Sequence, residues 1–266
     1  MNVTDQLGIA LEFDRSPQRI VSLVPSITEW LWDMGLEDRV VGITKFCVRP
    51  EAWFRSKPRI GGTKQVHLDR LVALRPDLVI ANKEENDASD VAAIRAAGIP
   101  VWTSDVRTWD DALDMMHLLG ELLDVSGRAA ALNMELKQSD PNAGIPLKRA
   151  AYAVWNEPLM LAGTDTFIHD ILARLGFENV VQTMRYPAFT DPELEATHPE
   201  VLLLPSEPFP FAEKHLPALQ ARFPNTQLVL VDGEMFSWYG SRMKYVREYG
   251  ERLREELGTI RSLKDC

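Results

Sequence analysis

The chain has 266 residues, of which 45% are hydrophobic and 26% are charged, so it has the composition of an ordinary globular protein with a large core. Its formal net charge of −10 disfavours binding to nucleic acids and to anionic membrane surfaces, because both require clustered lysines and arginines. No apolar run approaches the ~18 residues of a membrane-spanning helix, so we expect no membrane insertion.

The first residues are polar and acidic, with neither the basic start nor the apolar segment of a signal peptide. This pattern favours a cytoplasmic protein, unless Met1 stands where a leader has been removed. The two cysteines, Cys47 and Cys266, form no CxxC pair. We expect one partly buried thiol and one terminal thiol rather than a zinc or redox site.

Strand-like and helix-like runs alternate from residue 19 onward, which predicts an α/β protein with mostly parallel sheets. Arg19–Val24 is typical of a buried strand, and Ser26 with Glu29 predicts a capping box for the helix that follows. Four further elements are predicted in this region: strands at Leu78–Ala81 and Pro100–Thr103, and helices at Leu68–Leu74 and Ala88–Ala97.

The middle of the chain is predicted to be helical. Apolar residues at helical spacing follow Thr108, Ser126 precedes a second helix over about Arg128–Gln138, and residues 139–144 form a break. The chain divides into three predicted segments: an N-terminal α/β lobe of residues 1–107, a helical connector of residues 108–147 and a C-terminal α/β lobe of residues 148–266. The last segment contains these predicted elements: strands at Ala150–Val154, Val201–Leu204 and Leu228–Val231, and helices at Thr166–Leu175 and Ser241–Leu257.

One sequence pattern occurs on each side of the connector. Residues 71–80 and 194–203 each combine a helix end, a proline followed by an acid, and an apolar strand, which predicts two lobes of similar build. Ligands of open α/β sheets bind beyond the carboxyl ends of the strands. We therefore expect the loops 82–86 and 205–209 to face each other across a cleft.

No catalytic signature is found, since the chain has no GxSxG, HExxH, P-loop or GxGxxG motif. The five histidines show no metal-ligand spacing, and each is more typical of a surface or helix-end residue. We expect neither an enzyme, nor a metal site, nor a tightly bound cofactor.

Seven tryptophans are numerous for this length, and several aromatic side chains lie in or beside predicted loops and strand ends. Flat rings suit flat or apolar ligands, although core packing is the alternative for each of them. The segment Phe236–Arg242 follows a predicted strand, and within it we expect Trp238 to contribute most to ligand affinity. Four basic residues are candidates to meet an anionic chelate: Lys64, Lys83, Arg185 and Arg242.

The order and spacing of these segments resemble the substrate-binding proteins of cobalamin and iron-siderophore ABC importers over about the whole chain. The resemblance rests on five segments: Thr4–Gly8, Arg19–Glu29, Val41–Ile43, Leu74–Val79 and Asp232–Arg242. It implies a type III periplasmic-binding-protein-like fold, in which a helical connector joins two lobes and the ligand lies in the interlobe cleft.

The residue candidates and the resemblance together give one set of expected ligand-binding residues: Trp53, Lys64, Lys83, Glu84, Glu85, Asn86, Trp155, Tyr186, Phe189, Glu234, Phe236, Trp238, Tyr239 and Arg242. The resemblance also implies docking on a permease through one acid on each lobe, at Asp69 and Glu193. Asp69 is shorter than the glutamate that is usual at this position in the family.

These observations predict a monomer that binds a small-molecule chelate without chemistry, as the substrate-binding component of an ABC importer. Cobalamin, haem-like compounds and ferric siderophores are all open as ligands. The resemblance implies a periplasmic location, whereas the missing leader favours a cytoplasmic one. Two alternatives stay open: an intracellular chelate-handling protein or enzyme that reuses the fold, and an interaction module with a vestigial cleft.

Overall fold

A computed structural model describes residues 1–141 and 148–264, with side chains placed up to residue 258. The chain forms two compact units. The first unit contains Met1–Val106, Asp110–Lys137 and Tyr239–Arg242, and the second contains the described residues of Arg107–Trp109, Gln138–Trp238 and Met243–Cys266. Cys266 and part of the predicted break, residues 142–144, lie outside the described residues.

The first unit is built on a parallel sheet with strand order β4-β3-β7-β8. Every residue of β3 and β7 is buried, as is usual for strands of a parallel sheet covered on both faces. The strands of this unit are β1 (Asn2–Thr4), β2 (Ala10–Glu12), β3 (Ile20–Ser22), β4 (Val40–Ile43), β5 (Gly61–Gly62), β6 (Gln65–Val66), β7 (Leu78–Asn82) and β8 (Val101–Ser104).

The helices that begin in or belong to this unit are α1 (Pro25–Asp33), α2 (Glu51–Ser56), α3 (Leu68–Ala73), α4 (Ala88–Ala96), α5 (Trp109–Leu122) and α6 (Ser126–Gln138). The two helices predicted after Thr108 and Ser126 are confirmed as α5 and α6. All of α5 except Trp109, and all of α6 except Gln138, group with the first unit. The division into lobes and a connector at residues 107 and 147 stays a prediction.

The capping box expected at the start of α1 is wrong. Pro25 occupies the first helical turn, Val24 is the N-cap, and no side chain caps the helix. Proline suits this position because its φ is already helical and it has no N–H to satisfy. Glu29 is therefore released from the cap, and its carboxylate instead binds the guanidinium of Arg242.

The second unit is built on a sheet with the order β10-β9-β12-β13, in which β9, β12 and β13 are parallel and β10 is antiparallel to β9. A further strand, β11, pairs in parallel with the first residues of β9. The elements of this unit are β9 (Lys148–Trp155), β10 (Met160–Leu161), α7 (Phe167–Arg174), β11 (Phe177–Asn179), α8 (Asp191–Ala196), β12 (Val201–Pro205), α9 (Leu216–Arg222), β13 (Gln227–Val231), α10 (Glu234–Ser237) and α11 (Val246–Lys264). The predicted class, α/β with mostly parallel sheets, is confirmed.

The repeated sequence pattern corresponds to one structural device that occurs in both units. In the first unit, Arg75 ends α3 with a φ of 47° just before Pro76, and the Asp77 carboxylate accepts the backbone N–H of Arg19 at 2.7 Å. The Arg19 guanidinium donates back to the Leu74 carbonyl at 2.7 Å. These contacts satisfy a carbonyl that the helix end leaves open.

The second unit has the same arrangement. His198 has a φ of 51° before Pro199, Glu200 accepts the backbone N–H of Arg149 at 3.0 Å, and the Arg149 guanidinium donates to the Thr197 carbonyl at 2.7 Å. We call this device, Arg19 with Asp77 or Arg149 with Glu200, the arginine clamp. Its presence in both units supports the similar build that the sequence predicts.

Candidate ligand-binding site

The loop after β7 is organised by two buried asparagines. The Asn82 side chain accepts the N–H groups of Glu84 and Glu85 at 2.8 and 3.0 Å. The Asn86 amide accepts the Asn82 N–H and donates to the Thr63 carbonyl, both at 2.8 Å. Asn86 therefore holds the loop together, and its role as a ligand contact stays a prediction. Glu84 and Glu85 are half-buried.

Two of the predicted basic residues differ in their surroundings. Lys83 forms an ion pair with Asp105 at 2.8 Å. Lys64 is exposed in the turn between β5 and β6, and it borders a pocket of about 360 Å³. The residues that line this pocket are Lys45, Phe46, Gly62, Thr63, Lys64 and Gln65.

The pocket beside Lys64 contains two residues that the sequence analysis missed. Lys45 and Phe46 follow β4 closely, and the ammonium group of Lys45 lies 5.0 Å from the centre of the largely exposed Phe46 ring. Their position just after the carboxyl end of a parallel strand could have indicated them as candidate ligand-binding residues.

The short segment Tyr239–Arg242 groups with the first unit. The Tyr239 hydroxyl donates to Glu85 at 3.3 Å, and Arg242 Nε donates to Glu29 at 2.9 Å with a second bond from Nη2. Both Tyr239 and Arg242 are buried. The charge of Arg242 thus pairs with Glu29 in this structure, and its contact with an anionic ligand stays a prediction.

Two predicted ligand-binding aromatics belong to the hydrophobic interior. Trp53 is fully buried in α2 and packs edge-on against Trp32, with ring centres 5.5 Å apart. Phe236 is fully buried in α10, where its ring centre lies 5.0 Å from that of Tyr152. Core packing, the alternative that the sequence left open, describes both residues in this structure, and their role as ligand contacts stays a prediction.

The second unit presents aromatic side chains at the carboxyl ends of β9 and β12. Trp155, the last residue of β9, is 45% exposed, and its ring centre lies 5.5 Å from that of Phe209. Phe209 in turn contacts Phe211 at 4.6 Å and His215 at 5.3 Å. We call these four residues the aromatic face. Of the four, the set of expected ligand-binding residues includes only Trp155.

The predicted residues Tyr186 and Phe189 lie on a segment that runs beside β10. Its backbone is tied to the residues around β10 by Gly163 N–H to the Arg185 carbonyl at 2.7 Å and Phe189 N–H to the Leu159 carbonyl at 2.8 Å. Tyr186 is half-buried, and Phe189 packs partly against the core of the unit. The segment thus places both rings in the same unit as the aromatic face.

Arg185 of this segment takes part in a charged group of three residues. Its Nε lies 3.2 Å from the Asp165 carboxylate, which also binds Arg107 at 2.8 Å. Arg185 therefore already has an acidic partner within its own unit.

Glu207 and Trp238 form a polar contact in the second unit. Trp238 is only 6% exposed, and its Nε1 donates to Glu207 Oε1 at 2.5 Å, while Ser237 Oγ donates to the same oxygen at 3.2 Å. Burial raises the pKa of Glu207, and the negative charges of Glu234 and Asp232 add to this rise, against the lowering by its two hydrogen bonds. Glu207 was not singled out by the sequence analysis.

A pocket of the second unit lies elsewhere. It has a volume of about 560 Å³ and is lined by residues at the amino ends of the strands, including Lys148, Glu200 and Gln227. Glu200 is already used by the arginine clamp. We assign the candidate site to the aromatic face instead, because its one exposed ring, Trp155, ends β9 and packs against Phe209 in the loop after β12.

Neither a cluster of metal-ligating side chains nor a membrane-spanning helix is found in the described part of the chain. No group of three or more histidine, cysteine, aspartate or glutamate side chains among the described residues could hold a metal ion. No helix within residues 1–141 and 148–264 is both long and apolar enough to cross a membrane.

Comparison with known proteins identifies the family. The sequence profile described as periplasmic binding protein matches residues 20–206, which is more than half of the chain. The chain belongs to the periplasmic binding protein family. A cobalamin-binding protein of Halobacterium salinarum is 27% identical over 212 residues, covering 75% of this chain and 57% of that relative. This chain thus aligns with little more than half of the relative's length.

Solved structures show the same fold. A periplasmic vitamin B12 binding protein of Vibrio cholerae matches with a TM-score of 0.74 and 20% identity, covering 90% of this chain and 98% of that chain. A molybdate periplasmic binding protein of an ABC transporter of Haemophilus influenzae matches with a TM-score of 0.76 and 16% identity, covering 99% and 93%. The expected type III periplasmic-binding-protein fold is confirmed.

The two acids that the resemblance assigns to docking occupy related positions in this periplasmic binding protein. Asp69 lies in the first turn of α3, and Glu193 in the first turn of α8, and both are exposed. Glu193 Oε2 also accepts the backbone N–H and the hydroxyl of Thr190, both at 2.7 Å. These bonds lower the pKa of Glu193 and give it a second role as a helix-capping residue.

Proposed function

We propose that this protein binds a bulky, largely apolar small molecule of the corrinoid or metal-chelate class at the aromatic face. The observation that carries the proposal is the exposure of Trp155, backed by Phe209, at the carboxyl ends of two parallel strands. An exposed indole supported by a second ring offers a flat apolar surface at little entropic cost. Cobalamin is the leading ligand, and haem-like compounds and ferric siderophores are the other members of the class.

The names of the relatives support this ligand class. One relative is a cobalamin-binding protein, and one structural neighbour is a vitamin B12 binding protein. The molybdate-binding neighbour has the same fold, so the fold does not choose the ligand and the residues of the site must. A row of aromatic rings suits a large flat molecule better than a small oxyanion.

In this proposal the ligand is bound and released without chemical change. The state of Cys47, the cysteine in the described region, supports this. Its side chain is fully buried, and burial raises the pKa of its thiol to about 11. A protonated and inaccessible thiol is a poor nucleophile.

The protein then acts, as a monomer, as the substrate-binding component of an ABC importer on the extracytoplasmic side. We propose that Asp69 and Glu193 pair with arginines of the permease, since both are exposed acids on corresponding short helices of the two units. Paired carboxylate and guanidinium groups provide registry as well as attraction.

The proposal is tested by adding cyanocobalamin, haemin and ferrichrome separately to the purified protein. We expect one of them to bind with a stoichiometry of one per chain, to quench tryptophan fluorescence and to release heat in calorimetry. The bound compound should be recovered unchanged by chromatography after long incubation. Flat fluorescence and no heat with all three compounds would contradict ligand binding, and conversion to a new product would contradict binding without chemistry.

A further inference from the structure

Glu207 lies two residues after β12, between the strand end at Pro205 and the Phe209 ring of the aromatic face. Its position is fixed by close packing on Gly233. A Cβ atom at Gly233 would lie 2.7 Å from the Cγ of Glu207 and 2.8 Å from its carbonyl oxygen. Only glycine fits at this position, so the backbone that follows β13 fixes Glu207, which lies two residues before Phe209 of the aromatic face.

The two hydrogen bonds to the Glu207 carboxylate both end on Oε1. Trp238 Nε1 and Ser237 Oγ are the donors, at 2.5 and 3.2 Å. Within the described residues no donor is recorded at Oε2, and this atom is not among the fully buried polar atoms that lack a partner. Oε2 is therefore an accessible hydrogen-bond acceptor. The two bonds to Oε1 fix the orientation of the carboxylate and hence of Oε2.

The surroundings of Glu207 are negative. Asp232 and Glu234 lie at the start of α10, and both act on Glu207 through their charges. A ligand that brings a carboxylate or a catecholate to this position would meet like charge in a half-buried environment, where screening by water is reduced. A ligand that brings an amide or hydroxyl donor would satisfy the open oxygen.

We propose that Glu207 determines ligand selectivity at the aromatic face, by accepting a hydrogen bond on Oε2 from an uncharged donor and by repelling anionic chelates. This inference rests on the proposed function and narrows its ligand class. Corrinoids carry side-chain amides and fit the requirement, whereas haem with its two propionates and ferric catecholates do not. A site built to bond a donor discriminates strongly against ligands that lack it.

The direct test compares dissociation constants for cyanocobalamin and haemin in the wild type and in Glu207→Gln. The wild type should bind cyanocobalamin at least about tenfold more tightly than haemin, which is typical of one hydrogen bond to a charged group. Glu207→Gln should reduce this ratio by about tenfold. The control Glu195→Gln removes an exposed charge on α8 and should leave the ratio within about twofold.

A second measurement needs no variant, and therefore holds even if Glu207→Gln does not fold. Haemin and its dimethyl ester differ in their carboxylates, so the wild type should bind the ester about tenfold more tightly. Equal or weaker binding of the ester would overturn the inference, as would an unchanged ratio in Glu207→Gln or tighter binding of haemin than of cyanocobalamin. In each of these outcomes a ligand is still bound and the proposed function stands. Binding of none of these compounds would remove the proposed function, and the inference with it.

Discussion

Trp155 ends strand β9 and Trp238 follows helix α10, and the surroundings of the two rings differ. Trp155 is the last residue of β9 and is 45% exposed, whereas Trp238 is 6% exposed and its indole N–H is bound to Glu207. From the sequence alone, both tryptophans were equally good candidates for a ligand-binding ring. Only the packing decides which ring is available, and from it we expect Trp155, rather than Trp238 as the sequence suggested, to contribute most to ligand affinity.

Substitution of these two tryptophans should separate core from surface. Trp238→Ala should lower the free energy of unfolding by about 3 kcal/mol or more, because a buried ring and a hydrogen bond are lost. Trp155→Ala should lower it by less than about 1 kcal/mol. Urea unfolding followed by circular dichroism provides both values, and a wild-type midpoint for Trp238→Ala would show that this ring is not part of the core.

The pKa of Glu207 also predicts how its contribution to stability varies with pH. Because the folded-state pKa is raised, the folded protein binds its proton more tightly than the unfolded chain does. The contribution of Glu207 to the free energy of unfolding is therefore highest below the ordinary glutamate value of about 4.3, and it falls as pH rises through the raised pKa. Relative to wild type, Glu207→Gln should become more stable between pH 4 and pH 8.

Glu193 provides a control of opposite sign for this pH dependence. Its pKa is lowered by the bonds from Thr190, so its contribution is present above the ordinary glutamate value and is lost as pH falls. Relative to wild type, Glu193→Gln should become less stable as pH rises over the lower part of this range. Unfolding free energies measured across the range would contradict the assignment if both variants changed in the same direction.

At the scale of elements, the arginine clamp links the end of a helix to the strand that starts beside it. The helix ends at a residue with positive φ before a proline, at Arg75 or His198, and the clamp arginine binds the carbonyls that the helix leaves open. Cations at a helix C-terminus are also favoured by the helix dipole. The two clamps therefore occupy equivalent positions, at the start of β3 in the first unit and at the start of β9 in the second.

Removal of either clamp should destabilise its own unit. Arg19→Gln and Arg149→Gln should each lower the free energy of unfolding by roughly 1 kcal/mol, since both guanidinium groups are partly exposed. The losses should add in the double variant, because the two sites share no partner. Arg55→Gln, which removes an exposed pair within α2, is the matched control and should have almost no effect. If neither single variant lowered the free energy of unfolding, the clamp would not contribute to stability.

Much of the fold could be predicted from the sequence. The features that could not be predicted were missed for physical reasons. Buried parallel strands are continuous apolar runs, so alternation with helices indicated the class. The capping box failed because Pro25 starts α1 by itself. The clamp arginines were not predicted because each binds carbonyls about 50 residues away in sequence, with separations of 55 for Arg19 and 48 for Arg149.

The candidate site was predictable only in part. Trp155 is exposed at the strand end where it was expected, but Trp53 and Phe236 are core residues. Glu207 and Phe209 lie in a loop that the sequence analysis named, without a signal that singled them out. The contacts that distinguish them, such as the bond from Trp238 to Glu207 over 31 residues, depend on tertiary packing.

At the scale of the whole molecule, the proposed transport role depends on one acid in each unit. Glu193→Gln keeps a side chain that can cap α8 and removes only the charge, whereas Glu193→Lys removes both. If charge pairing holds the permease, both variants and Asp69→Lys should bind a reconstituted permease at least about tenfold more weakly, with unchanged ligand affinity.

The docking experiment has a control on the same helix and a clear contrary result. Glu195→Gln removes a neighbouring exposed acid of α8 and should leave permease binding intact. If Glu193→Gln binds the permease like the wild type while Glu193→Lys does not, the loss reflects the helix cap or the added positive charge rather than the missing acid. Full binding by all of the variants would show that the permease uses another surface.

The central claim is that the aromatic face of the second unit binds the ligand, and Trp155 tests it most directly. Isothermal calorimetry with cyanocobalamin should be compared for the wild type, Trp155→Ala and Trp32→Ala, the last removing a tryptophan of α1 that is 37% exposed. We expect Trp155→Ala to bind about thirtyfold more weakly than the wild type, which corresponds to the loss of ~2 kcal/mol, and Trp32→Ala to bind as the wild type does. Wild-type affinity in Trp155→Ala, or an equal loss in both variants, would contradict the claim.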